Sequence, residues 1–276
     1  MSTVKIYTVA QLPSLPHEIQ HKVFERLSFD ECKRCSQLSR AWRSAVLNWP
    51  GMWRCLQMNK KFRYFQIHCD RIEKSALKGI DIDTYSGKTI LWIKLVSFLA
   101  KQNFNAINWA RLKIDFLSKD TALMFLNTCG NALSYLHISL HLARKVDFAA
   151  SVGPDMFVQK CPNLTKLTFI GPIADVTEWR PSTALKNIKH QRLTDLALVI
   201  SNIHDNMDIV TFLKAVPKLK YLAVSYNIAH TTSDPSFPME LQQYCPDLAT
   251  IVISDSHISP YGFLDTYDEY KPKCAQ

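Results

Sequence analysis

The chain has 276 residues, 47% hydrophobic and 21% charged, both near the average for globular proteins, so disorder over most of its length is excluded and a sizeable core is affordable. Only 7 residues are Gly, and no G-x-G, G-x-x-x-x-G-K or G-x-S-x-G occurs, which excludes the common phosphate-cradling loops and the nucleophile elbow. The net charge is +9, and residues 1–70 hold 11 Lys and Arg against 5 Asp and Glu, a balance that suits acidic partners and says nothing of fold.

Met1 to Ala10 has no apolar run of signal-peptide length, so secretion is not expected. Ile90 to Ala100, the most apolar stretch, is 11 residues long and carries Lys94, too short for a spanning helix. Eight cysteines (Cys32, Cys35, Cys55, Cys69, Cys129, Cys161, Cys245 and Cys274) are scattered through a chain too long to need disulfide staples. They read as reduced thiols of the cytoplasm or nucleus.

From the N-terminus, Leu15, Ile19, Val23 and Leu27 recur every four residues with Phe24 beside them, the pattern of a short amphipathic helix with Pro16 in its first turn. Ser28 and Glu31 have capping-box spacing and predict a second helix, edged by Cys32, Cys35 and Leu38. Ser39 can cap a third, in which Trp42, Ala45, Val46 and Trp49 share a face and which Pro50-Gly51 is expected to stop.

Leu15-Pro16-His17-Glu18-Ile19, Val23-Phe24, Leu27, Asp30, Cys35, Ser39-Arg40, Trp42-Arg43 and Trp53 together resemble the F-box motif, over residues 12–57. The resemblance implies a three-helix module that docks on the Skp adaptor and, through it, on cullin and RING subunits of a ubiquitin ligase. Carried over by position, Leu15, Pro16, Ile19, Val23 and Leu27 would supply the apolar contact or its support; periodicity alone leaves open which of them are buried in the bundle.

Beyond it, the spacing L-x-x-L-x-L appears seven times: Leu77/Ile80/Ile82, Trp109/Leu112/Ile114, Leu133/Leu136/Ile138, Leu164/Leu167/Phe169, Leu193/Leu196/Leu198, Leu219/Leu222/Val224 and Leu248/Ile251/Ile253. The middle residues lie on average 28.5 apart, within the leucine-rich-repeat range. Helical patterns fill the gaps at Ile90 to Lys101, Thr121 to Cys129, Met156 to Lys160, Ile209 to Val216 and Pro238 to Tyr244. Cys161-Pro162-Asn163-Leu164, Val216-Pro217-Lys218-Leu219 and Cys245-Pro246-Asp247-Leu248 look like cysteine-containing leucine-rich repeats, Pro ending the helix ahead of the strand. The expected fold is α/β: an F-box at 12–57, a linker or cap at 58–76, a right-handed horseshoe of about seven irregular repeats at 77–260, and a tail at 261–276.

Within each repeat, alternation sends Arg111, Lys113 and Asp115, Tyr135, His137 and Ser139, Lys166 and Thr168, and Tyr221 to the face opposite the leucines. Arg111, Lys113, Tyr135, His137, Lys166 and Tyr221 are the candidates for target contact, suited to an acidic or phosphorylated partner. Cys32-x-x-Cys35 with His17 and His21 has a zinc-like composition, but the two pairs belong to different faces, so core packing is preferred and no metal or cofactor is expected. The run Lys60 to Phe65 could grip single-stranded nucleic acid, yet it is short and unrepeated; packing aromatics in a linker are the simpler reading. No catalytic set has a local signature. The expectation is a non-catalytic substrate receptor, without membrane or nucleic-acid partners; the rival is a basic repeat scaffold binding RNA or an acidic protein outside any ligase.

Overall fold

The computed structural model describes residues 14–57, 60–83, 89–114, 117–140, 152–171, 181–200, 206–226 and 237–255. The described residues up to Gly79 form one compact unit and those from Ile80 onward a second. Asp115, Cys274 and the expected tail lie outside the described residues.

In the first unit, α1 (His17–Phe24) starts on Pro16, whose carbonyl accepts from the backbone N–H groups of Ile19 and Gln20 at 3.0 and 3.1 Å. The capping box before α2 (Phe29–Leu38) is formed: Glu31 N–H donates to Ser28 Oγ, and the Ser28 backbone N–H donates back to Glu31 Oε2 at 2.7 Å. Glu31 is fully exposed, and these bonds from Ser28 hold its carboxyl below the usual range. Ser39 caps α3 (Arg40–Asn48) through Trp42 N–H, as its spacing predicts. Helix α3 ends at Asn48, with Trp49 extended just ahead of Pro50-Gly51, as expected; Pro50 then takes the first position of a further short helix that the sequence reading did not include, α4 (Pro50–Trp53), where its missing N–H costs nothing. A Cβ at residue 51 would run into the Trp49 indole, so this close approach needs Gly.

The core here is aromatic. Phe24 meets Trp42 edge-on, with ring centres 6.3 Å apart, and Trp49 at 5.5 Å; buried Trp53 donates Nε1–H to Leu47 O at 2.9 Å. After β1 (Cys55–Gln57), the run expected as a linker is a helix, α5 (Lys60–His68). Phe65 is buried against Trp53, and Tyr64 stacks on Trp53, meets Phe29 edge-on and shares a 2.8 Å hydrogen bond with Ser36 Oγ. The aromatics that could have stacked on bases are committed to packing.

The second unit alternates strand and helix: β2 (Gly79–Asp83), α6 (Thr89–Gln102), β3 (Trp109–Ile114), α7 (Lys119–Cys129), β4 (Tyr135–Leu140), α8 (Pro154–Lys160), β5 (Lys166–Ile170), β6 (Asp195–Ile200), α9 (Asn206–Leu213), β7 (Tyr221–Tyr226), α10 (Phe237–Tyr244) and β8 (Thr250–Asp255). A 3-10 turn, Thr183–Asn187, precedes β6. Each strand from β2 to β8 neighbours the next in chain order, and β3 to β8 pair in parallel. Helices therefore carry the chain back between strands, as a parallel sheet requires. Helix α9 begins before the expected Ile209 and ends at Leu213, short of Val216.

The register corrects one repeat. Leu112 pairs with Ile138 and Ala110 with Leu136, so the second unit of the pattern is Ile107/Ala110/Leu112, not Trp109/Leu112/Ile114. Ile107, Ala110 and Leu112 are buried, whereas Trp109 is half-buried on the other face beside Tyr135. A two-residue slip preserves the side of every strand residue, so alternation alone does not detect it.

Hydrogen bonds repeat with the units. The N–H groups of Ser134 and Tyr135 both donate to Asn108 O, those of Thr165 and Lys166 to Ser134 O, those of Thr194 and Asp195 to Thr165 O, and those of Lys220 and Tyr221 to Thr194 O. Deeper in, Cys129 Sγ–H donates to Phe104 O at 3.6 Å and Cys245 Sγ–H to Val216 O at 3.5 Å. Between them, at the same three-residue spacing before a leucine as Cys161 and Cys245, stands buried His190. Its Nδ1 accepts from the N–H groups of Leu193 and Arg192 at 3.0 and 3.3 Å, so the proton is on Nε2, which donates to Cys161 O at 2.8 Å. Its own backbone N–H donates to Ala215 O at 2.7 Å. One histidine thus ties three successive turns together.

Candidate functional site

Two surfaces follow from the sequence reading, one in each unit. On α1 the inward side consists of Gln20 and Phe24, not of the four-residue stripe. Gln20 is only 4% exposed because its side-chain amide donates to Leu15 O at 2.6 Å, which offsets the cost of burying it. The stripe is displaced outward: Ile19 is 43% exposed, Pro16 is exposed, and Leu15, Val23 and Leu27 are half-buried. Leu38, at the end of α2, is 58% exposed. A bundle this small has apolar residues to spare and keeps these at the surface, where an apolar partner gains by covering them. Residues 12–51 match the F-box domain family.

No curated protein matches the chain. The F-box implies binding of a Skp adaptor within a cullin-based ubiquitin ligase, and the five residues carried over by position are all accessible to such a partner. The zinc-like set does not converge: Cys32 is buried, Cys35 half-buried, and among the described residues no group of three or more His, Cys, Asp or Glu could hold a metal ion. Nor, among them, is any helix long and apolar enough to cross a membrane.

In the second unit, the face opposite the leucines forms registered rows. Trp109, Tyr135, Lys166, Asp195, Tyr221 and Thr250 make the first, and Arg111, His137, Thr168, Ala197, Ala223 and Val252 the second. The first row is half-buried up to Tyr221 and exposed at Thr250. In the second, Arg111 is half-buried, while His137 and Thr168 are 6% and 1% exposed and Ala197 and Ala223 are buried. Ser139, Ile170 and Val199, one step further along their strands, are buried too. From β4 to β7 the described residues of this face beyond its first row are therefore buried, polar His137, Thr168 and Ser139 together with apolar Ala197, Ala223, Ile170 and Val199.

The structure places the six candidate contact residues differently from one another. Tyr135, Lys166 and Tyr221 share the first row; Arg111 and His137 share the second; Lys113 lies in the third, beside Ser139. Arg111 is held by Asp81 in a two-pronged ion pair, Nε and Nη2 each 2.7 Å from a carboxylate oxygen. Lys166 Nζ lies 3.5 Å from Asp195. Arg111 and Lys166 are thus each matched by a carboxylate. Sequence reading missed Asp81, because a residue in the preceding repeat neutralises Arg111 across the sheet, and missed Trp109 through the register slip.

Cysteine chemistry offers no reactive centre in this unit's interior. Burial pushes the Cys129 and Cys161 thiols up to about 12 and that of Cys245 up to about 11, so none is a thiolate at neutral pH.

Proposed function

We propose that the protein is a substrate-recognition subunit of a Skp–cullin–F-box ubiquitin ligase. The observation that carries this reading is the inversion of α1: Gln20 and Phe24 turn inward while Leu15, Pro16, Ile19, Val23 and Leu27 remain accessible on a domain of F-box type. Covering those side chains on the Skp adaptor removes apolar area from water, at about 25 cal/mol per Å². Chemistry belongs to other subunits of the ligase. This chain contributes proximity, raising the local concentration of a bound target at the site of ubiquitin transfer.

The second unit is read as a leucine-rich-repeat array and as the part that holds the target protein for ubiquitin-dependent proteolysis. In favour are the near-regular spacing of its leucines, one parallel strand per repeat, and an accessible row containing Trp109, Tyr135 and Tyr221, residue types enriched where binding energy concentrates. The pairing of Arg111 with Asp81 and of Lys166 with Asp195 makes large polar aromatics, rather than bare positive charge, the better contacts on this face.

The test is co-elution of the full chain with purified Skp adaptor, wild type against a Leu15→Ala/Ile19→Ala double variant. The double variant is expected to lose about 2–4 kcal/mol of adaptor affinity with an unchanged circular dichroism spectrum. Wild-type affinity in a folded double variant would remove the docking face from this surface.

A further inference from the structure

The sequence-wide balance places the positive excess in the first 70 residues, but the structure gathers a second group of cations in the other unit. Three helix-to-strand turns stack where the chain enters β5, β6 and β7. Their contact is fixed by His190, which bonds Cys161 O in the turn before it and Ala215 O in the turn after it. On or beside these turns stand Lys160, Lys186, Lys189, Arg192, Lys214, Lys218 and Lys220, all exposed, with Lys214 Nζ 4.8 Å from the centre of the Tyr244 ring. Segments 160–164, 181–194 and 214–220 contain no Asp or Glu. Lys218 lies 3.6 Å from Asp247 in the following turn, an exposed pair of little strength. Lys189, Arg192 and Lys220 have no carboxylate ion pair among the described residues.

We propose that this basic edge is a docking surface for an acidic polypeptide segment. Cations gathered on successive linked turns repel one another, and a polyanion that covers them relieves the repulsion. The composition favours a carboxylate-rich chain over nucleic acid. No exposed aromatic side chain occurs in the three segments to stack a base, and six of the seven cations are Lys, point charges without the planar fork that grips phosphate in two-pronged fashion. Carried by three successive turns, the cations suit carboxylates distributed along an extended peptide. The surface is built from different residues than the adaptor face and does not depend on it.

The experiment titrates the full chain, alone and bound to Skp adaptor, against a fluorescent 15-residue peptide of alternating Glu and Gly, with single-stranded and duplex RNA of equal charge as further probes. Micromolar peptide binding that weakens at least tenfold between 50 and 300 mM salt is expected. The triple reversal Lys189→Glu, Arg192→Glu and Lys220→Glu should lower peptide affinity at least tenfold, and the triple Gln variant several-fold, with unchanged melting. A control reversal of exposed Lys94 and Lys101 on α6 should leave it within twofold. Tighter binding of either RNA than of the peptide, or an equal loss in the control, would overturn the proposal.

Discussion

The amide of Gln20 donates to the carbonyl of Leu15 at 2.6 Å, so a buried polar side chain on the inner side of α1 holds the residue that leads onto its outer side. Gln20→Leu keeps the volume and deletes the donor. It is expected to weaken adaptor binding by about 1 kcal/mol, several-fold in affinity, because Leu15 loses its tether. Calorimetric titration against the adaptor checks this; unchanged affinity would show that the Leu15 position is fixed by other contacts.

His190 is a stitch between repeats. His190→Ala leaves the buried Leu193 N–H without its acceptor and Cys161 O with only the Leu164 N–H, and is expected to cost about 2–3 kcal/mol. His190→Cys, the residue at the matching place in two other repeats, should recover part of the loss by bonding Cys161 O again. Urea unfolding of the three proteins gives the ranking, and equal stability of the Ala and Cys variants would contradict it.

Phe65 fills the space beside Trp53 on a helix beyond the matched F-box segment. Phe65→Ala should destabilise the first unit by about 3–5 kcal/mol, and Tyr64→Phe, which removes only the hydroxyl bonded to Ser36, by about 1 kcal/mol. Hydrogen exchange on α2 and α5 separates these effects from the second unit.

The buried thiols make stability fall at high pH. Their folded values, about 12 for Cys129 and Cys161, exceed the ordinary value of 9.0, so each contributes stability that is fully present below pH 9 and is lost as pH rises toward 12. The loss is about 1.4 kcal/mol per pH unit per thiol across that window. Cys161→Ala should lower stability at pH 8 yet flatten the decline between pH 9 and 10.5. An identical slope in the variant would exclude the thiol as its cause.

What the sequence reveals and hides follows from how each residue achieves burial. Spacing of Leu, Ile and Val marks the strands because nothing else satisfies those side chains, and the caps at Ser28 and Ser39 are legible because the donors they serve are adjacent in the chain. Gln20 and His190 escape a hydrophobicity pattern, since hydrogen bonds rather than apolarity let them into the interior. Ala110 hides its repeat because a methyl group in a leucine position carries no signal, and the neighbouring Trp109 takes its place in the pattern. On α1, the four-residue spacing marks Leu15, Ile19, Val23 and Leu27 as one stripe but not the direction in which it faces. That direction depends on Phe24 preferring the aromatic pocket formed with Trp42 and Trp49.

The parallel sheet has a further consequence for how the chain comes together. From β3 to β8 each strand pairs with the next after a step of 26 to 31 residues, and no partner has to be found across the length of the molecule. Assembly can proceed like laying courses of brick, each new strand set on the exposed edge of the last as synthesis delivers it. The search at each step closes one short loop, and its entropic cost stays nearly constant however many courses are already in place.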